Sequence, residues 1–68
     1  MSETLFKKII EDKNLTYGVV SKITGVPKSS INNYANGNRI PDVNVAVHIM
    51  ETLGIDINLI GELFKSSR

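Results

Sequence analysis

The sequence predicts an all-α fold, a compact domain of five short helices over residues 1–65 followed by a frayed tail at 66–68. Three observations lead there. Apolar residues recur at three- and four-residue intervals in five separate segments, the spacing that lines one face of a helix. Each segment opens on a residue suited to a helix entrance, and glycine closes helices two, three and four at Gly25, Gly37 and Gly54. No strand pattern, internal repeat or low-complexity tract interrupts them.

Helix one opens on Ser2 or Thr4, whose hydroxyl accepts a bond from an otherwise orphan N–H of the first turn. Leu5, Phe6, Ile9 and Ile10 form its inner face, Lys7, Lys8, Glu11 and Asp12 its outer face, and it ends near Lys13 or Asn14. Thr16 caps helix two, Tyr17 to Thr24, with Val19, Val20 and Ile23 as apolar positions. Gly18 in its first turn costs up to about 1 kcal/mol relative to alanine, so this helix depends on its neighbours. Gly25 suits a left-handed C-cap, and Pro27 fits the entrance of helix three, where its missing N–H does no harm. Helix three runs from Lys28 to Asn36 with Ile31 and Tyr34 facing the core together. Asn38 to Pro41 is a loop in which the proline holds Ile40 extended. Asp42 caps helix four, whose Val43, Ala46, Val47, Ile49, Met50 and Leu53 read as nearly all core. Asp56 caps a last helix with Ile57, Leu59, Ile60, Leu63 and Phe64.

Composition excludes several classes of function. A chain of 68 residues buries only about 60% of the surface its unfolded form exposes, which sets stability on the order of 3 to 5 kcal/mol. Without cysteine there is neither a disulfide framework nor a thiolate metal site. The N-terminus lacks an apolar signal region and no apolar run approaches 18 residues, so secretion and membrane spanning are not expected. Cytoplasmic residence follows. His48 is the one histidine, with no partner for a metal site, and reads as a surface or boundary residue. With no Ser-His-Asp spacing and no glycine-rich phosphate loop, an enzyme is not expected.

The stretch Leu15 to Pro41 carries the functional signal. From Lys13 to Pro41 there are four basic residues, Lys13, Lys22, Lys28 and Arg39, while all seven acids lie outside. A surface facing phosphates has this charge distribution, although the net charge of the whole chain is only +1. The outer face of helix three presents Lys28, Ser29, Asn32, Asn33 and Asn36. Serine and asparagine compete with the helical backbone for hydrogen bonds and are poor choices for a merely solvated face. After a tight turn, short polar groups at these positions suit the reading of base edges.

These residues resemble the lambda-repressor-like (Cro/CI-type) helix-turn-helix family. The match runs without a gap through Leu15-Thr16, Val20 and Ser21, Gly25-Val26, Ile31, Tyr34, Gly37 and Pro41, and more loosely over Phe6, Ile9, Ile49, Leu53, Gly54, Ile55 and Ile60. Each position has a physical reason: Ser21 is small because helix three crosses above it, Gly25 reaches positive φ, and Ile31 wedges between the two helices. Three departures stand out. Tyr17 replaces the usual glutamine, which contacts a phosphate and braces helix three. Ile10 and Ala35 replace an Arg-Glu pair, an exchange of a buried ion pair for apolar contact that costs little. Val19 and Ile23 replace charged residues and are expected to pack against helix one or four.

The resemblance implies that helix three enters the major groove of double-stranded DNA. Lys28, Ser29, Asn32 and Asn33 are then the base readers, because lysine donates to guanine and asparagine pairs bidentately with adenine. Thr16, Tyr17, Gly18, Ser30, Asn36, Asn38 and Arg39 take phosphates, which fix register without reading sequence. Spare apolar surface on the last helix, Leu59, Leu63 and Phe64, suggests a homodimer on DNA that places two recognition helices about 34 Å apart; the alternative is that these residues simply cover the core. The implied protein is a repressor or Cro-like regulator, of bacteriophage type, at the nucleoid of a bacterial cell, with no cofactor and no sensor domain. The alternative function is an antirepressor or modulator that uses the same fold to bind a repressor protein.

Overall fold

The structure, a computed structural model, describes residues 4–65. Its elements in chain order are α1 (Leu5–Asp12), α2 (Tyr17–Thr24), α3 (Lys28–Ala35), α4 (Val43–Leu53), a 3-10 turn (Ile57–Leu59) and α5 (Ile60–Leu63). No strand occurs among the described residues, and the all-α expectation holds.

Short helices need their ends satisfied, and the sequence supplies the groups. Thr4 Oγ1 accepts from Lys7 N, Thr16 Oγ1 from Val19 N, and Asp42 Oδ1 from Val45 N. The other cap candidate for α1, Ser2, lies outside the described residues, as do 66–68. At the end of α1, Asn14 takes the left-handed conformation at φ 58°, letting Leu15 N donate to Ile10 O and Asn14 N to Glu11 O, both at 3.0 Å. Asparagine tolerates that region better than most non-glycine residues, so this paired-bond ending forms without a glycine. Gly25 and Gly54 close α2 and α4 in the same conformation.

Helix α3 begins one residue after Pro27, which occupies the N-cap at ψ 142°, and ends at Ala35, with Asn36 as its C-cap. The expected last helix is interrupted. Asp56 caps a 3-10 turn, and only four residues of α5 follow it.

The core draws on every helix: Phe6 and Ile10 from α1, Val20 from α2, Ile31 and Ala35 from α3, Ala46, Ile49, Met50 and Leu53 from α4, and Leu63 with Phe64 at the chain's end. Phe64 links three of them, its ring lying 5.0 Å from that of Phe6 and 6.0 Å from that of Tyr34, the latter edge-on. Such tilted arrangements suit the ring quadrupoles. Ile10 and Ala35, the positions of the exchanged ion pair, are both buried in this cluster.

Three expectations change. Leu63 and Phe64 are buried in the monomer and Leu59 is half-buried against the same core, so the spare apolar face expected on the last helix is absent. Val19 and Ile23 do not pack against α1 or α4; they stay 42% and 49% exposed. Each precedes one of the buried pair Val20 and Thr24, and one residue is about 100° of helix rotation, so the inner stripe turns them outward. Val43, expected in the core, is 68% exposed at the first position of α4.

Candidate nucleic-acid interface

With Ile31 and Ala35 pointing inward, helical rotation turns Ser29 and Asn33 to the opposite side of α3 and Asn32 and Asn36 to the adjoining outward face. Lys28, Ser29 and Asn32 are exposed, whereas Ser30, Asn33 and Asn36 are half-buried. Asn32 and Asn36, four apart, meet on that face: Asn36 Nδ2 donates to Asn32 Oδ1 at 2.7 Å. The bond fixes one amide plane relative to the other while leaving further donors and a lone pair for an outside partner. Asn33 also acts through its backbone, its carbonyl accepting from Asn38 N at 2.9 Å and Arg39 N at 3.3 Å. That fold-back places Asn38 and Arg39, both exposed, beside the end of α3.

The start of α2 offers a second donor group. Val19 N and Val20 N are bonded to Thr16, which leaves the first-turn N–H groups of Tyr17 and Gly18 without intrahelical acceptors. Such a helix start favours an anion. Gly18 is exposed, and a Cβ there would meet only Thr16 Oγ1 at 3.9 Å, so the domain itself does not require glycine at this point. The Tyr17 ring is half-buried against the core beside these groups. Lys13, Lys22, Lys28 and Arg39 are all exposed, on a stretch without an acid.

Side chains clamp the turn that joins α2 to α3. Ser21 Oγ donates to Val26 O at 2.6 Å, Thr24 Oγ1 donates back to Val20 O at 2.6 Å, and Val26 N donates to Thr24 Oγ1 at 3.3 Å. From α4, His48 Nε2 lies 2.6 Å from Thr24 O; a carbonyl only accepts, so the ring nitrogen carries the proton. At the far end of α3, the Thr4 hydroxyl donates to Ala35 O at 2.7 Å while accepting from Lys7 N. Thr4 is 2% exposed and thus ties the start of α1 to the end of α3 inside the core.

Two of these supports were missed by reading residues. Thr4 was legible as a cap, but its second bond spans 31 positions and has no local signal. His48 was legible as a boundary residue, and its contact with the last turn of α2 depends on how α4 crosses that helix.

Two short helices joined at a positive-φ glycine, the second held rigidly with a polar face toward solvent, define a helix-turn-helix domain. The sequence model of the family described as Helix-turn-helix matches residues 6–60, and the chain belongs to that family, in its lambda-repressor-like (Cro/CI-type) form. It is a family of DNA-binding transcription regulators rather than of enzymes. Comparison with curated proteins and with solved structures gave no match. No helix among the described residues is long and apolar enough to cross a membrane.

Proposed function

We propose that this protein is a sequence-specific regulator of the repressor or Cro kind, which occupies a pseudopalindromic operator as a two-fold dimer with α3 in the major groove. The observation that carries the reading is the outward face of α3, a row of short polar side chains on a helix tied at both ends, within an acid-free stretch bearing four basic residues. Lys28, Ser29, Asn32 and Asn33 read bases. Thr16, Tyr17, Gly18, Ser30, Asn36, Asn38 and Arg39 meet phosphates, through backbone N–H groups at the start of α2 and through side chains elsewhere.

Selection of bound sites from random duplexes tests this. A two-fold motif with half-sites about one helical turn apart is expected, and enrichment of no motif overturns the reading. Lys28→Ala or Asn33→Ala then costs about 1 to 3 kcal/mol at one base position and relaxes preference there. Arg39→Ala weakens binding to every sequence and lowers the salt slope by about 1.

A second reading draws on the exposure of Val19 and Ile23 on α2. There the domain works as an antirepressor or modulator whose α2 contacts a repressor protein. Val19→Ser with Ile23→Ser abolishes that capture and leaves DNA binding intact, so the two readings separate in one variant.

A further inference from the structure

Of the seven asparagines in the chain, Asn36 is the one followed by glycine. That junction has a chemistry of its own, because the amide carbon of an asparagine can reach the next backbone nitrogen and glycine puts no side chain in the way. Asparagine is for this reason among the chemically less durable residues. The nitrogen of Gly37 attacks Cγ of Asn36, the bond from Cγ to Nδ2 breaks, and the proton of Gly37 N passes through solvent to the departing ammonia. Water then opens the cyclic imide at either carbonyl. The product is an aspartate or, with the main chain rerouted through the side chain, an isoaspartate.

The hydrogen bonds around the other asparagines oppose this reaction more firmly. The nitrogens after Asn32 and Asn33 lie inside α3, where the helical ladder commits their N–H groups. After Asn14, Asn44 and Asn58, the nitrogens of Leu15, Val45 and Leu59 are held at 3.0, 2.9 and 3.0 Å, and each of these residues screens its own nitrogen with a bulky side chain. Gly37 N and Arg39 N, after Asn36 and Asn38, each rest on a bond of 3.3 Å, at the long end for an amide, and only Gly37 lacks a screen. Asn36 and Gly37 form the turn directly after α3, and both are half-buried, so water reaches the junction. One side-chain bond opposes the rotation that brings Cγ to Gly37 N, that of Asn36 Nδ2 to Asn32 Oδ1 at 2.7 Å.

We propose that the Asn36-Gly37 junction is a site of spontaneous deamidation whose product switches off the α3 surface. The consequence is electrostatic. All seven acids lie outside the stretch from Lys13 to Pro41, and deamidation places a carboxylate inside it. The effect on DNA rests on the DNA-binding reading: the phosphate contact proposed for Asn36 becomes a repulsion. A carboxylate at the C-terminal end of α3 also opposes the helix dipole. Isoaspartate adds a methylene to the main chain and shifts Asn38 and Arg39 away from the end of α3. A duplex lying on this face blocks the rotation, so bound protein is preserved while free protein ages.

The test incubates the full 68-residue chain in mildly alkaline buffer, free and on the duplex chosen by site selection, and follows each asparagine by peptide mass and isoaspartate assay. Conversion at Asn36 is expected ahead of every other asparagine, faster in Asn32→Ala, which frees the amide, and slower on the duplex. Asn36→Asp, shown to be folded by circular dichroism, binds the selected duplex and random DNA about tenfold more weakly. Asn36→Gln keeps an amide but closes its larger ring far more slowly, so incubation leaves its affinity where it began. The proposal is overturned by conversion led by another asparagine, by an Asn32→Ala rate equal to the parent's, or by Asn36→Asp binding as tightly as the parent. A chain that converts first at Asn36 yet never binds DNA removes the DNA-binding reading and keeps the modification site, so the two failures are distinguishable.

Discussion

The turn that leads into α3 and the loop that leaves it each contain a positive-φ glycine, Gly25 at 76° and Gly37 at 77°, yet they are held by different means. Into α3, side chains of Ser21, Thr24 and His48 converge on the backbone of residues 20–26. Out of α3, the bonds that order Gly37, Asn38 and Arg39 run to the carbonyls of Tyr34 and Asn33, from backbone to backbone. The difference matters for a helix proposed to read a DNA groove. The entrance fixes the angle between α2 and α3 and commits its side chains to that task. The exit leaves Asn38 and Arg39 free to meet a ligand, and its rigidity comes from Ala35, one residue before the loop, where Thr4 holds the last carbonyl of the helix.

Thr4 is therefore where the exit breaks most severely. Thr4→Val keeps the shape of the side chain, removes the α1 cap and leaves the Ala35 carbonyl unpaired in the core. Together these cost about 2 to 3 kcal/mol, most of the stability expected of a domain this small. Urea unfolding monitored by circular dichroism checks it. A loss below about 0.5 kcal/mol would mean that water or another group takes over the carbonyl, and that the end of α3 is not anchored by α1.

The two glycines make the comparison direct. A Cβ at Gly25 meets nothing within 4 Å, so Gly25→Ala suffers only the left-handed backbone, about 1 to 2 kcal/mol. The same substitution at Gly37 has a similar intrinsic cost, but its loop carries no side-chain clamp and can shift to relieve it. Gly25→Ala is expected to lower the unfolding midpoint more than Gly37→Ala; equal losses would show that the clamp around residues 21–26 is no stiffer than the backbone bonds after α3. His48→Ala comes next, at about 1 kcal/mol for the lost bond to Thr24 O, seen in the same unfolding experiment.

How far the sequence discloses the molecule follows from the range of each interaction. Caps, αL glycines and three- to four-residue apolar spacing are local, and Thr16, Gly25, Asp42 and Gly54 mark helix ends where the structure places them. The family resemblance likewise rests on contiguous residues, and the match over 6–60 supports it. What stays hidden is decided by neighbours distant in sequence. Val43 has the phase of a core residue, yet at the first position of α4 it stands 68% exposed, because no neighbouring element covers it. Leu63 and Phe64 read as a dimer face, with core cover as the alternative, and their burial, Phe64 against the rings of Phe6 and Tyr34, places them in the core. Val19 and Ile23 have apolar character without an inward position, which an eight-residue helix reveals only once Val20 and Thr24 are known to face the core.

The smallest effect on stability is expected where a large effect on recognition remains. Asn36 caps α3, half-buried, and its amide donates to Asn32 on the solvent side of the helix. Truncation to alanine strands no buried group, so Asn36→Ala should move stability by no more than about 0.5 kcal/mol. The phosphate contact proposed for it predicts a separate loss on DNA of about 1 kcal/mol, roughly fivefold, common to all sequences. Asn32 is released at the same time. With its carbonyl no longer held by Asn36, the amide can rotate, and the base preference proposed for Asn32 should broaden at one position of each half-site. Fluorescence anisotropy titrations on the selected duplex and on single-base variants of it measure both effects. A variant that loses affinity uniformly but keeps its preference at every position would make Asn36 a phosphate contact alone and Asn32 indifferent to it. One that unfolds early would show that the exit of α3 depends on this surface pair as much as the entrance depends on its buried threonine.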